Sequence, residues 1–171
     1  MAAYTVDTYA VIGRAGLNQA IGTTSTTQLH KLGERCRARG VSGSTRGEAE
    51  FIYLQGVAST VVGSLALVKN DFTTSLATAR DKGAMALASA AIVASNYGWY
   101  QISGIGVAAC AAGIVLDAAM YLTGAGGVGT VNDAAVAGDQ IIGMRAASTD
   151  DTSTCLVSMG VNPACADFDN A

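Results

Sequence analysis

Proline, histidine and aromatic residues are all scarce in this chain. Pro163 is the only proline and His30 the only histidine, and Phe, Trp and Tyr together make up 6% of the residues. A single histidine excludes His-rich metal centres. None of the four cysteines (Cys36, Cys110, Cys155, Cys165) forms a Cys-x-x-Cys pair, so zinc-site spacing is missing as well. Long uninterrupted apolar runs are also lacking. The longest, Ile105 to Leu122, contains Asp117 and is studded with Gly106 and Gly113. A spanning helix needs about 20 mostly apolar residues without a central charge, so no membrane partner is expected. Met1 to Ala10 carries Asp7 and no basic residue, which is unlike a secretory leader. The expectation is synthesis in the cytoplasm, where thiols stay reduced and buried. A Cys155–Cys165 bridge across a terminal hairpin stays open as the alternative.

Small apolar residues are abundant instead. Half of the 171 residues are hydrophobic, mostly Ala and Val, and 21 are glycine. Each small side chain buries little area at about 25 cal/mol per Å². Such a chain is expected to complete its stability through subunit contacts. Its length suits one domain plus an arm, or two very small domains. Charge is sparse and divided. Residues 1–46 hold six basic residues against Asp7 and Glu34, a net of +4, and the remainder holds four basic against eleven acidic, a net of −7. A basic front on an acidic body points to a partner-facing segment or to a solvated arm.

Along the chain, residues 1–31 read as an extended N-terminal arm, with the polar run Gly22 to Thr27 inside it. Arg35, Arg37 and Arg39 alternate with Cys36 and Ala38, so a strand there places three guanidinium groups on one face. Glu50 to Gln55 is the strongest strand, apolar on both faces and therefore central. Phe72 to Leu76 is a short strand after the Asn70-Asp71 turn. The segment 83–95 fits a buried helix or a strand; strand is favoured because Asn96 to Ile102 follows a tight turn as its β partner. Further strands are expected at 118–122, 129–131, 140–146 and 155–159. Short strands with frequent glycine turns indicate a mainly β fold, a small β-barrel or β-sandwich. Gly56-Val57-Ala58 with Gly63 echoes Gly106-Val107-Ala108 with Gly113, each read as strand, glycine turn and next strand.

Catalytic and cofactor signals are weak. Gly124 to Gly129 matches GxGxxG, but Val131-Asn132-Asp133 and Gly138-Asp139 break the helix that must follow, and too little chain remains for a doubly wound sheet. Asp150-Asp151 lacks the alternating ligands of a calcium loop. No sequence feature couples His30 to a nucleophile. The expectation is a protein that is not an enzyme and has no catalytic residue, cofactor or metal. The acidic balance and the lack of aromatics around Arg35, Arg37 and Arg39 favour a protein contact over nucleic acid. Tyr97, Trp99 and Tyr100 are clustered, as are Phe51 and Tyr53. They suit a β core or a subunit interface. Arg35, Arg37, Arg39, Tyr97, Trp99 and Tyr100 are the candidate interface residues.

Three segments carry a resemblance. Gly47 to Thr60, Ala94 to Ile102 and the Ala-Val-Ala-Gly-Asp-Gln-Ile-Ile-Gly stretch at 135–143 resemble recurring segments of tailed-phage virion proteins. The succession of a Gly-Val-Ala strand, a Gly-Asp turn and an Ile-Ile-Gly strand is similar to the head-decoration, or capsid cement, family. The likeness spans roughly 32–160. It implies a β-tulip-like decoration domain over 32–160, an arm at 1–31 and a C-terminal tail at 161–171. It also implies a homotrimer on the outer surface of the mature head, bound to the major capsid protein. The implied location is the virion, after synthesis in the host cytoplasm.

Overall fold

The computed structural model describes residues 8–12, 16–42, 47–123, 127–150 and 153–165, with side chains for all of these except 42 and 161–165. Among them are twelve strands and no helix: β1 (Thr8–Val11), β2 (Thr24–Ser25), β3 (Arg35–Ser42), β4 (Glu48–Gln55), β5 (Leu65–Val68), β6 (Thr74–Leu76), β7 (Gly83–Ala88), β8 (Tyr97–Ala109), β9 (Ala119–Leu122), β10 (Val131–Asn132), β11 (Gln140–Ala146) and β12 (Thr154–Cys165). The mainly β fold is as expected. The segment 83–95 opens as strand β7 and pairs with β8 through Leu87–Gln101 and Ala88–Tyr100.

The strands form a large antiparallel sheet in the order β1-β3-β4-β8-β7-β12-β11-β9-β10, with β2 added to β8 and β5-β6 added to β7. The sheet does not close into a barrel, so of the two expected architectures the sandwich-like one holds. The long strand β8 links its two parts. Residues up to Ser103 pair with β4, and Gly104 to Ala109 pair with β12. The change of partner falls at Gly104, whose φ of 89° suits glycine and bends the strand. A Cβ there would sit 2.5 Å from the Glu48 carbonyl oxygen.

Three apolar clusters result. On one face of β4, Phe51 and Tyr53 pack with Cys36, Ala38, Ala49 and Trp99. On the other, Ile52 and Leu54 pack with Ala86, Ala88, Ile92, Tyr100 and Ile102. This double burial accounts for the continuous apolar run and for the central place of β4. The third cluster is built from residues of β5, β7, β9, β10, β11 and β12 and of the part of β8 beyond the bend.

Several boundaries differ from the sequence reading. The N-terminal segment lies along the body: β1 pairs with β3, β2 pairs with β8, and Leu17 and Ile21 pack on the first cluster. β12 continues past residue 160 to Cys165 and pairs there with β11 and β7. The Cys155–Cys165 hairpin does not form. Both residues belong to this one strand, and Cys155 is an unbridged thiol. The Gly56/Gly106 echo extends only to its turns. Gly63 and Gly113 both adopt positive φ, and 106–108 is strand, but 56–58 is a loop. β4 stops there because Gly56 is backed by the Ile92 carbonyl and donates to Asn96 O at 2.8 Å.

Candidate interaction surface

The alternation read in β3 is present. Arg35, Arg37 and Arg39 are exposed, while Cys36 and Ala38 are buried. The register places Arg37 opposite Glu50 and Arg39 opposite Glu48. Arg37 Nη2 and Arg39 Nη2 each donate to the Glu48 carboxylate at 2.9 Å, and Arg37 Nε lies 3.8 Å from Glu50 Oε1. The stripe is therefore a charge ladder already matched by β4, with Arg35 outside any ion pair among the described residues. The guanidinium groups of Arg39, first, and Arg37 hold the Glu48 carboxyl below its usual range. A depressed carboxyl contributes stability above the ordinary carboxylate range and loses it as pH falls through the folded value. Arg39→Ser should bring the Glu48 titration back up towards that range in a carbon-detected NMR titration. An unmoved midpoint would show that the ladder bonds do not hold the carboxylate.

The aromatic candidates divide differently. Trp99 and Tyr100 are fully buried, on opposite faces of the sheet, and Tyr97 is half-buried. Trp99 and Tyr100 therefore build the core rather than a docking face. Tyr100 keeps its hydroxyl buried beside Thr60 and Thr74 without a well-formed hydrogen bond, and burial pushes its phenol up.

Gln19 was missed in the sequence. It is buried and serves as a polar hub. Its Nε2 donates to Thr23 O at 3.0 Å and to Tyr97 O at 2.9 Å, its Oε1 accepts from the Tyr53 hydroxyl at 2.6 Å, and its backbone carbonyl accepts from Trp99 Nε1 at 2.9 Å. The one available signal was its place between the apolar residues Leu17 and Ile21, just before the polar run Gly22 to Thr27. These bonds fasten residues 16–30 to the strands beneath.

His30 covers the same aromatic group, with ring centroids 5.2 Å from Tyr53 and 5.0 Å from Trp99. Its Nδ1 is 3.3 Å from Glu34 Oε2, and its Nε2 is buried without a partner among the described residues. An open cleft of about 580 Å³ lies above, lined by Gly16, Asn18, Gln28, Leu29, Lys31 and Glu34 as well as His30. That lining holds no hydroxyl or thiol side chain to act as a nucleophile beside the imidazole. In the glycine motif, Gly124 to Gly126 lie outside the described residues. Gly127 to Thr130 form a turn that leads into β10, where a dinucleotide site requires a helix. Asp150 caps the Gly113 amide at 3.0 Å, and Asp151 lies outside the described residues.

A second feature missed by sequence spacing is a thiol pair. Cys110 and Cys155 are both buried in the third cluster and hydrogen-bonded to each other. The bond from Cys155 draws the Cys110 thiol down, while Cys155 itself is pushed up by the same bond and by burial.

The chain matches no protein-family model, no curated protein and no solved structure.

Proposed function

We propose that this chain is a non-enzymatic virion protein that decorates the outer surface of a mature phage head. It acts there as a homotrimer that clamps neighbouring major capsid protein subunits. One observation carries the reading. Of the three segments with the family resemblance, 47–60 and 94–102 supply the adjacent central strands β4 and β8, and 135–143 supplies the Gly138-Asp139 turn that starts β11. The resembling segments thus occupy a shared β framework rather than scattered surface loops.

Two further features support it. Val41, Val61, Val115, Leu116 and Val128 are each more than half exposed, which leaves apolar surface for subunit contacts. Arg35, outside the ion pairs among the described residues, offers charge on the exposed face of β3. A cement protein works by linkage: it binds the expanded lattice better than the precursor and so stabilises the mature state by mass action. Contacts repeated around a threefold axis add through effective concentration.

The test is quantitative mass spectrometry of purified virions with cosedimentation on expanded and precursor heads. Decoration requires a copy number comparable to that of the major capsid protein and a preference for expanded heads. A few copies per particle would instead indicate a tail, fibre or head-completion module. Within the same assay, replacing Arg35, Arg37 and Arg39 together with Ser should weaken head binding. Raised salt should do the same to the unsubstituted protein, because exposed charges act over about 8 Å at physiological salt. Equal binding of the triple variant at low and high salt would remove the ladder from the interface.

A further inference from the structure

Exposed apolar side chains gather at two separate places. The first is a rim of loops around the third cluster, where Val61, Val115, Leu116 and Val128 are each more than half exposed. Hydrogen bonds hold these loops side by side. Leu65 N donates to Gly129 O at 2.8 Å, Ala109 N to Gly63 O at 2.9 Å and Ala111 N to Val131 O at 2.9 Å. Val115 N donates to the Asp133 carboxylate at 2.8 Å. Apolar groups brought together in this way mark a contact site, where single scattered ones do not. The second place is the outer face of β1 and β3. Val41 continues the alternation of Arg35, Arg37 and Arg39, and Ile12 follows Val11, which packs inward. Both Ile12 and Val41 are exposed.

Charge distinguishes the two patches. From 83 to 144 the chain has no Lys or Arg, so the rim segments 111–118 and 127–133 carry only Asp117 and Asp133. Asp117 is exposed, and Asp150, which caps Gly113 N at 3.0 Å, adds a further carboxylate. The β3 face carries the three guanidinium groups against Glu48 and Glu50. A guanidinium has more N–H donors than this ladder uses. Among the described residues, Arg37 and Arg39 each give one Nη2 hydrogen bond to Glu48, which leaves donors for another carboxylate. The patches are different surfaces of the molecule, because β1 and β3 pair only with each other and with β4, while the rim loops flank β5, β8, β9 and β10.

We propose that copies of this chain associate head to tail, with the acidic, valine-tipped rim of one copy seated on the arginine face of the next. A patch that meets its own counterpart gives a twofold pair and stops there, whereas two unlike patches give a contact that closes into a ring or continues as a filament. A homotrimer therefore needs an unlike pair, and these two patches match in both apolar character and charge. Like charges across a contact disfavour rim against rim. The contact rests on the self-association in the decoration reading and names the surfaces that make it. Loss of the arginines then weakens head binding through lost avidity, so the contact is tested without heads.

The measurement is sedimentation of the purified full chain at up to millimolar concentration. Two variants each remove the apolar part of one patch: Val115→Ser with Leu116→Ser for the rim, and Ile12→Ser with Val41→Ser for the face. The native chain should assemble, and each variant alone should be a monomer. Mixed in equal amounts, the variants should form a dimer with one chain of each, because one intact rim meets one intact face and the remaining ends are both defective. A native chain that stays monomeric, a variant that assembles alone as the native chain does, or a mixture that stays monomeric would each overturn the proposal. If a serine variant fails to fold, Val41→Cys and Leu116→Cys chains are mixed and treated with a bismaleimide. A cross-link from position 41 of one chain to position 116 of the other is expected to exceed the 41–41 and 116–116 products, and its absence overturns the contact. Copy number on virions is independent of these results. A few copies of an assembling chain would sink the decoration reading alone, and decoration by a monomer would sink this contact alone.

Discussion

Trp99→Ala should cost about 3–5 kcal/mol of unfolding free energy, measured by urea denaturation. Globular proteins have about 5–15 kcal/mol in total, so the loss is a large share of the fold's stability. The indole is fully buried, edge-on to Tyr53 at 5.1 Å, and tied to the Gln19 carbonyl through Nε1. Truncation opens a cavity under the N-terminal segment and leaves that carbonyl without its donor. Trp99→Phe should retain part of the packing and lose the bond, which places it between alanine and the native residue. Arg35→Ser serves as a contrast, because its exposed side chain makes no ion pair among the described residues and surface changes of this kind stay within about 0.5 kcal/mol. The two variants would have to be equally stable for Trp99 to be a surface docking residue. Gln19→Ala should loosen the same region by a different route, at about 1–3 kcal/mol, because the Tyr53 hydroxyl loses its acceptor while still accepting from Leu29 N, and the Tyr97 carbonyl loses its side-chain donor.

Strand patterning was legible where neighbouring residues alone decide the outcome. The Arg35–Cys36–Arg37–Ala38–Arg39 alternation fixed which face of β3 is wet, and the doubly apolar Phe51 to Leu54 run fixed the central place of β4. The ambiguous 83–95 segment was decided by the strand after it, since Leu87 and Ala88 find Gln101 and Tyr100 across the ladder. Long-range pairing was not legible. Glu48 and Glu50 come after the arginines by nine to thirteen positions, and nothing in the spacing says that they neutralise Arg37 and Arg39. Cys110 and Cys155 are 45 positions apart and meet only because β12 returns along the far half of β8. Likewise Trp99 and Tyr100 are adjacent in sequence but point into different clusters, so one aromatic motif serves two cores. Sequence spacing alone could not separate that role from an interface, because core and interface reward the same side chains.

Gly56→Ala should destabilise the fold by about 3 kcal/mol, at the upper end of what overpacking costs. The glycine is needed for proximity rather than for backbone freedom. A Cβ at Gly56 would overlap the Ile92 carbonyl and press on the Ile92 side chain, and the Gly56 amide is bonded to Asn96 O. Two backbone segments, the end of β4 and the 90–96 turn, would have to separate. Gly113 provides the control. It adopts a φ of 92°, yet among the described residues nothing lies within 4 Å of its Cβ position. Gly113→Ala should therefore cost only the left-handed backbone penalty, about 1–2 kcal/mol. In the sequence the two glycines head and close similar Gly-Val-Ala stretches, which suggests one shared role. The structure separates them, because Gly56 ends a central strand against another chain segment while Gly113 turns in open space. Urea midpoints for the two alanine variants settle the point. A Gly113 variant as unstable as the Gly56 variant, or less stable, would show that turn geometry and not close approach limits this fold.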